Sequence, residues 1–108
     1  MSEKKISRGS KNVFADLGFA DAEEMQTKVR LAHAINGILE ERRLTQAKAA
    51  SLLDVAQPKI SALSNYKLEG FSVERLMTYL TALDRDVKII IKKKPSSRSN
   101  ARISVEAA

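Results

Sequence analysis

Pro58 interrupts what would otherwise read as one continuous helix from Gln46 to Leu63. A proline lacks the backbone N–H and its ring clashes inside a helix, so it is tolerated only in the first turn. The stretch therefore divides in two. Leu44-Thr45-Gln46-Ala47-Lys48-Ala49-Ala50-Ser51-Leu52-Leu53 forms a first short helix with Thr45 as its N-cap, and Asp54-Val55-Ala56 breaks it. Gln57-Pro58-Lys59-Ile60-Ser61-Ala62-Leu63 opens the second. Two short helices joined by a tight turn are the parts of a helix-turn-helix. The first must be small where the second crosses it, which Ala47 and Ala50 supply. The second must point apolar residues inward, and Ile60 and Leu63 do so at a spacing of three, with Val55 filling the turn. Its outer face then offers Gln57, Lys59, Ser61 and Ala62. Glutamine can pair bidentately with adenine, and lysine suits guanine acceptors or phosphate.

The flanks read as more helix. Ser10 or Asn12 can cap a short turn through Val13-Phe14-Ala15-Asp16-Leu17, ended by Gly18. A long helix is expected next, with Asp21 as N-cap and Glu24 in the capping-box position. Met25, Val29, Ala32, Ile35 and Leu39 form its apolar stripe, and Arg42 and Arg43 suit its negative end. Gly37 within it suggests a close helix crossing. After a loop from Asn65 to Phe71, Ser72 caps a last helix with Val73, Leu76, Met77, Leu80 and Leu83 inward. Val87-Lys88-Ile89-Ile90-Ile91-Lys92 is rich in β-branched residues and reads as one strand ended by Pro95. The expected fold class is all-α: a compact helix-turn-helix bundle of about five helices with one C-terminal β-strand used in dimerisation. Residues 1–11 form a mobile basic arm, 12–92 the domain with its strand, and 93–108 a disordered basic tail.

The 108 residues carry 19 Lys and Arg against 13 Asp and Glu, a net charge of +6. Such an excess favours a polyanionic partner. The tails carry it: Lys4, Lys5, Arg8 and Lys11 at one end and Lys92, Lys93, Lys94, Arg98 and Arg102 at the other, opposed by Glu3 and Glu106. By count the middle is near neutral, so charge alone does not decide for nucleic acid. The chain has no cysteine, which removes disulfide scaffolds and thiolate metal sites and fits a cytoplasmic location. No apolar run approaches the roughly 18–20 residues of a membrane span, and Met1 to Lys5 lead into no secretory signal.

Leu44-Thr45-Gln46, Ala50 and Gln57-Pro58-Lys59-Ile60-Ser61 resemble the helix-turn-helix of the XRE family, the Cro and phage repressor-like regulators. The likeness spans about residues 21–84. Asn12-Val13-Phe14-Ala15-Asp16-Leu17-Gly18 and Leu83-Asp84-Arg85-Asp86-Val87-Lys88-Ile89 are similar to a subgroup of HigA-type antitoxins. Two positions depart from the family pattern. Asp54 stands where glycine is usual in the turn, and Ala56 where serine or threonine caps the second helix. The resemblance implies a transcriptional repressor, autoregulatory, bound to double-stranded DNA at a palindromic operator. Thr45 and Gln46 would meet the phosphate backbone, Gln57, Pro58, Lys59 and Ser61 would form the base-reading turn, and Asn65 and Lys67 would hold phosphates. Tyr66 would reach phosphate or pack on the core. The alternative it implies is an antitoxin whose main role is to neutralise a cognate RNA-cleaving toxin protein.

A lone strand leaves its backbone unpaired, so a homodimer through Val87, Ile89 and Ile91 is expected. It would also suit half-sites about 34–36 Å apart. Other chemistries find little support. His33 has no cysteine or acidic cluster beside it, Ser61 has no base, and Gly18, Gly37 and Gly70 make no phosphate-cradling loop. The chain is not expected to be an enzyme or to hold a cofactor or metal. Aromatic residues for stacking RNA bases are scarce in the basic segments.

Overall fold

The computed structural model describes the backbone of residues 15–107 and the side chains from Asp21 onward. Four helices follow one another: α1 (Ala15–Glu41), α2 (Gln46–Leu53), α3 (Gln57–Ser64) and α4 (Val73–Ala82). The expectations for residues 1–14 lie outside the described residues.

The bundle has four helices among the described residues, not about five. The expected stop at Gly18 and start at Asp21 are absent, because α1 runs through both without a break. Ala20, Ala22, Glu23 and Glu24 favour helix, and their combined preference outweighs one glycine, which costs about 1 kcal/mol. Asp21 sits exposed in mid-helix. The buried stripe of α1 also differs over its first half. Met25 and Val29 are exposed, while Thr27, Lys28 and Leu31 lead into the expected Ala32, Ile35 and Leu39. The two polar residues are satisfied locally. Thr27 Oγ1 donates to the Glu23 carbonyl at 3.1 Å, and the Lys28 ammonium lies 3.4 Å from Glu24.

The core lies where α1 packs against α4 and α3, with α2 against α3 and α4. Ile35, Ile60, Leu63, Leu68, Leu76 and Leu83 are its largest fully enclosed side chains. Fully burying such a residue contributes roughly 1.5–3 kcal/mol. Phe71 from the loop meets Tyr79 edge-on, with ring centroids 6.2 Å apart. Gly37 is exposed and sits at no close crossing, because a Cβ there would meet nothing within 4 Å.

All four helices close in the same way. Each ends on a non-glycine residue in the left-handed region: Arg43, Asp54, Tyr66 and Asp84, with φ of 55°, 59°, 58° and 64°. The next residue's N–H then reaches back five residues: Leu44 to Leu39 (3.0 Å), Val55 to Ala50 (3.0 Å), Lys67 to Ala62 (2.9 Å) and Arg85 to Leu80 (3.0 Å). These are Schellman closures, which satisfy carbonyls that the helix end would otherwise orphan.

Residues 87–92 form no strand. A strand is stabilised by a hydrogen-bonded neighbour, and among the described residues none pairs with this segment. Val87 packs on the core, but Ile89, Ile90 and Ile91 are 72%, 72% and 94% exposed. The chain then turns at Pro95–Arg98 and returns to α1, where the Ile103 N–H donates to Glu23 Oε2 at 3.1 Å and Val105 packs on the core.

Candidate nucleic-acid interface

The candidate interface is built on three turns. At the first, Thr45 is extended (φ −71°, ψ 163°) and its hydroxyl accepts from the Lys48 N–H at 3.1 Å, capping α2 as the sequence suggests. Gln46, the first residue of α2, is exposed beside it. Both line a shallow hollow with Asn36 and Glu40 of α1 and with Ser64 and Tyr66 at the end of α3. Gln46 thus sits exposed between α1 and the end of α3.

The second turn joins α2 to α3. Asp54 takes the left-handed conformation that glycine usually supplies (φ 59°, ψ 49°). Ala56 occupies the N-cap of α3 with no side-chain hydrogen bond, and Pro58 lies in the first turn. Ile60 and Leu63 point into the core as expected. The small residues under the crossing are Ala49 and Ala50; Ala47 is exposed, and its expected role falls to Ala49, two positions further on.

With its inner face committed, α3 exposes Gln57, Pro58 and Lys59 on its first turn, and Ser61 is half-buried. The four are brought together, but they are not equally available. The Lys59 ammonium turns back to donate to the Gly70 carbonyl at 3.0 Å and stands 4.7 Å from the centroid of the Phe71 ring. Gln57 has no such engagement among the described hydrogen bonds.

At the third turn the amide of Asn65 donates to the Ser61 carbonyl at 2.9 Å, and that of Asn36 donates to the Leu63 carbonyl at 3.1 Å. Both satisfy the C-terminal carbonyls of α3. Lys67 is exposed, and the Tyr66 hydroxyl lies 3.3 Å from His33 Nδ1. The capping role of Asn36 was not foreseen, because it depends on a contact 27 residues away in sequence. Among the described residues no cluster of three His, Asp or Glu could hold a metal ion, and no helix is long and apolar enough to cross a membrane.

A short capped helix, a tight turn and a second helix with a buried inner and polar outer face define a helix-turn-helix. A family model described as a helix-turn-helix domain matches residues 13–92. A solved structure named as an XRE family transcriptional regulator superposes with a TM-score of 0.79 at 67% sequence identity. That match covers 82% of this chain and 99% of the other. The chain belongs to the XRE family of helix-turn-helix proteins. Among curated proteins no match is found.

Proposed function

We propose that this protein is a sequence-specific DNA-binding transcriptional regulator that reads the major groove with α3. The observation that carries this reading is the division of α3: Ile60 and Leu63 are buried while Gln57 stands exposed on the first turn. Helix-turn-helix domains present the N-terminal residues of their second helix to base edges, which is where Gln57 lies. Gln57 reads adenine, with Ser61 one turn further on. Thr45, Gln46, Asn65 and Lys67 set the register by contacts to the phosphates. The protein acts as a repressor of its own promoter and binds a palindrome as a homodimer. Ile89 and Ile91 form the dimer contact, and Val87, which packs on the core, anchors their segment. Three successive exposed isoleucines make an apolar patch of the kind that marks interaction surfaces.

The test is fluorescence anisotropy with a duplex from upstream of the gene and an unrelated duplex. Wild type binds the upstream duplex more tightly by at least about a thousandfold at physiological salt. Gln57→Ala loses most of that preference and keeps its affinity for the unrelated duplex. Equal affinity of wild type and variant for both duplexes overturns the reading. Sedimentation of Ile89→Asp/Ile91→Asp tests the dimer, since a species unchanged from wild type removes this contact.

A further inference from the structure

The charge of this chain is separated from its helices. Between Asp21 and Asp86 nine basic residues stand against ten acidic ones, whereas Val87 to Val105 carries six basic residues and no acidic one. The helical body that presents α3 is therefore slightly negative. Binding to DNA draws much of its free energy from cations that displace counterions from the phosphates. The body by itself is poorly supplied with them.

The six cations are held in an organised loop. Val87 packs on the core at one end, and Val105 packs on the core at the other. Between them the chain turns at Pro95, closed by the Arg98 N–H on the Pro95 carbonyl at 3.2 Å. The Lys94 ammonium donates to the Arg98 carbonyl at 2.8 Å, and the Arg98 guanidinium to the Asn100 carbonyl at 3.0 Å. These bonds shape the loop and leave Lys88, Lys92, Lys93 and Arg102 exposed. The segment leaves the body where Arg85 approaches Glu41 at 3.7 Å, at the end of α1 that leads into α2, and returns to the first half of α1 at Glu23. No aromatic residue lies between Val87 and Val105, so the loop has no platform for unstacked bases and suits an intact duplex.

We infer that the loop 92–102 is a second DNA-binding element, which grips the phosphate backbone of the duplex through Lys92, Lys93 and Arg102 without reading sequence. The inference rests on the reading of α3 as the base-contacting helix. In this division of labour α3 supplies the choice of site and the loop supplies much of the salt-dependent affinity.

The full-length protein and a Lys92→Gln/Lys93→Gln/Arg102→Gln variant are titrated with the upstream and the unrelated duplex over a series of salt concentrations. If each cation neutralises one phosphate, the slope of log K against log salt becomes shallower by about 2.7 in the variant. Affinity for both duplexes falls together and the ratio between them is kept. Unfolding midpoints equal to wild type show that the exposed substitutions leave the fold intact. An unchanged slope overturns the loop as a DNA contact, while wild-type preference for the upstream duplex leaves the role of α3 standing. If wild type binds neither duplex, the role of α3 fails and the loop's role fails with it.

Discussion

The ammonium of Lys59 donates to the backbone carbonyl of Gly70 over 3.0 Å, joining the first turn of α3 to the loop that precedes α4. The same nitrogen stands 4.7 Å from the centre of the Phe71 ring, and Phe71 is buried. Lys59 therefore ties α3 to that loop, a contact beyond the base-contacting role that the sequence suggests for it. A hydrogen bond from a charged group and an exposed cation–π contact together contribute on the order of 1–2 kcal/mol. Lys59→Met keeps the length of the stem and loses both. We expect it to destabilise the fold by about 1 kcal/mol in urea unfolding. Gln57→Ala, two residues away and exposed, should lie within about 0.5 kcal/mol of wild type. Equal stability of the two variants would show that the tie contributes nothing.

The contrast with the sequence reading has a physical cause. Signals acting over three or four residues were readable: the Thr45 and Ser72 caps, the proline in the first turn of α3, and the inward pair Ile60 and Leu63. Most of the helix-turn-helix and its exposed face follow from these. What failed depends on partners distant in sequence. The choice of Thr27 and Lys28 over Met25 and Val29 as the buried face is set by what packs on α1. Ala49 replaces Ala47 because the angle between α2 and α3 fixes which alanine faces inward. Strand propensity in 87–92 is real, but propensity without a hydrogen-bonding neighbour makes no strand. The tie from Lys59 to Gly70 carries no local signal at all.

Ala56 is a helix cap without a capping side chain. Its backbone is already extended (φ −70°, ψ 148°), the conformation an N-cap requires. Thr45 and Ser72, at the same position of α2 and α4, each accept from the N–H three residues on, at 3.1 and 3.0 Å. Ala56→Ser places a hydroxyl within reach of the Lys59 N–H and should stabilise the protein by about 1 kcal/mol. Thr45→Ala should cost about as much. The check is the denaturant midpoint at constant slope. A midpoint for Ala56→Ser at or below that of wild type would contradict it.

Gly37 weakens α1 without a packing reason. A Cβ at this position meets nothing within 4 Å, and the residue is exposed. Alanine removes backbone freedom from the unfolded chain and favours helix, so Gly37→Ala should add up to about 1 kcal/mol. In a domain of this size that raises the melting temperature by roughly 4–8 °C for each kcal/mol. DNA affinity should not change, because Gly37 lies outside the three turns of the candidate interface. A melting temperature below that of wild type would mean that the exposed face of α1 is used in a contact that alanine obstructs.

Tyr79 gives the fold a limit at alkaline pH. Its side chain is buried in α4 against Phe71, and this burial raises the phenol above its ordinary value of about 10, while the nearby Arg75 cation pulls the other way. The neutral phenol is thus held more firmly in the folded chain than in the unfolded one. Its contribution is complete below the unfolded value, about pH 10, and is lost as pH climbs through the raised folded value. The comparison is with Tyr79→Phe, which has no phenol to ionise. The difference in unfolding free energy between wild type and Tyr79→Phe should stay constant from neutral pH to about pH 9. Above about pH 10 it should shift against wild type. A difference that stays flat across the whole range would show that the Tyr79 phenolate forms as easily in the folded chain as in the unfolded one.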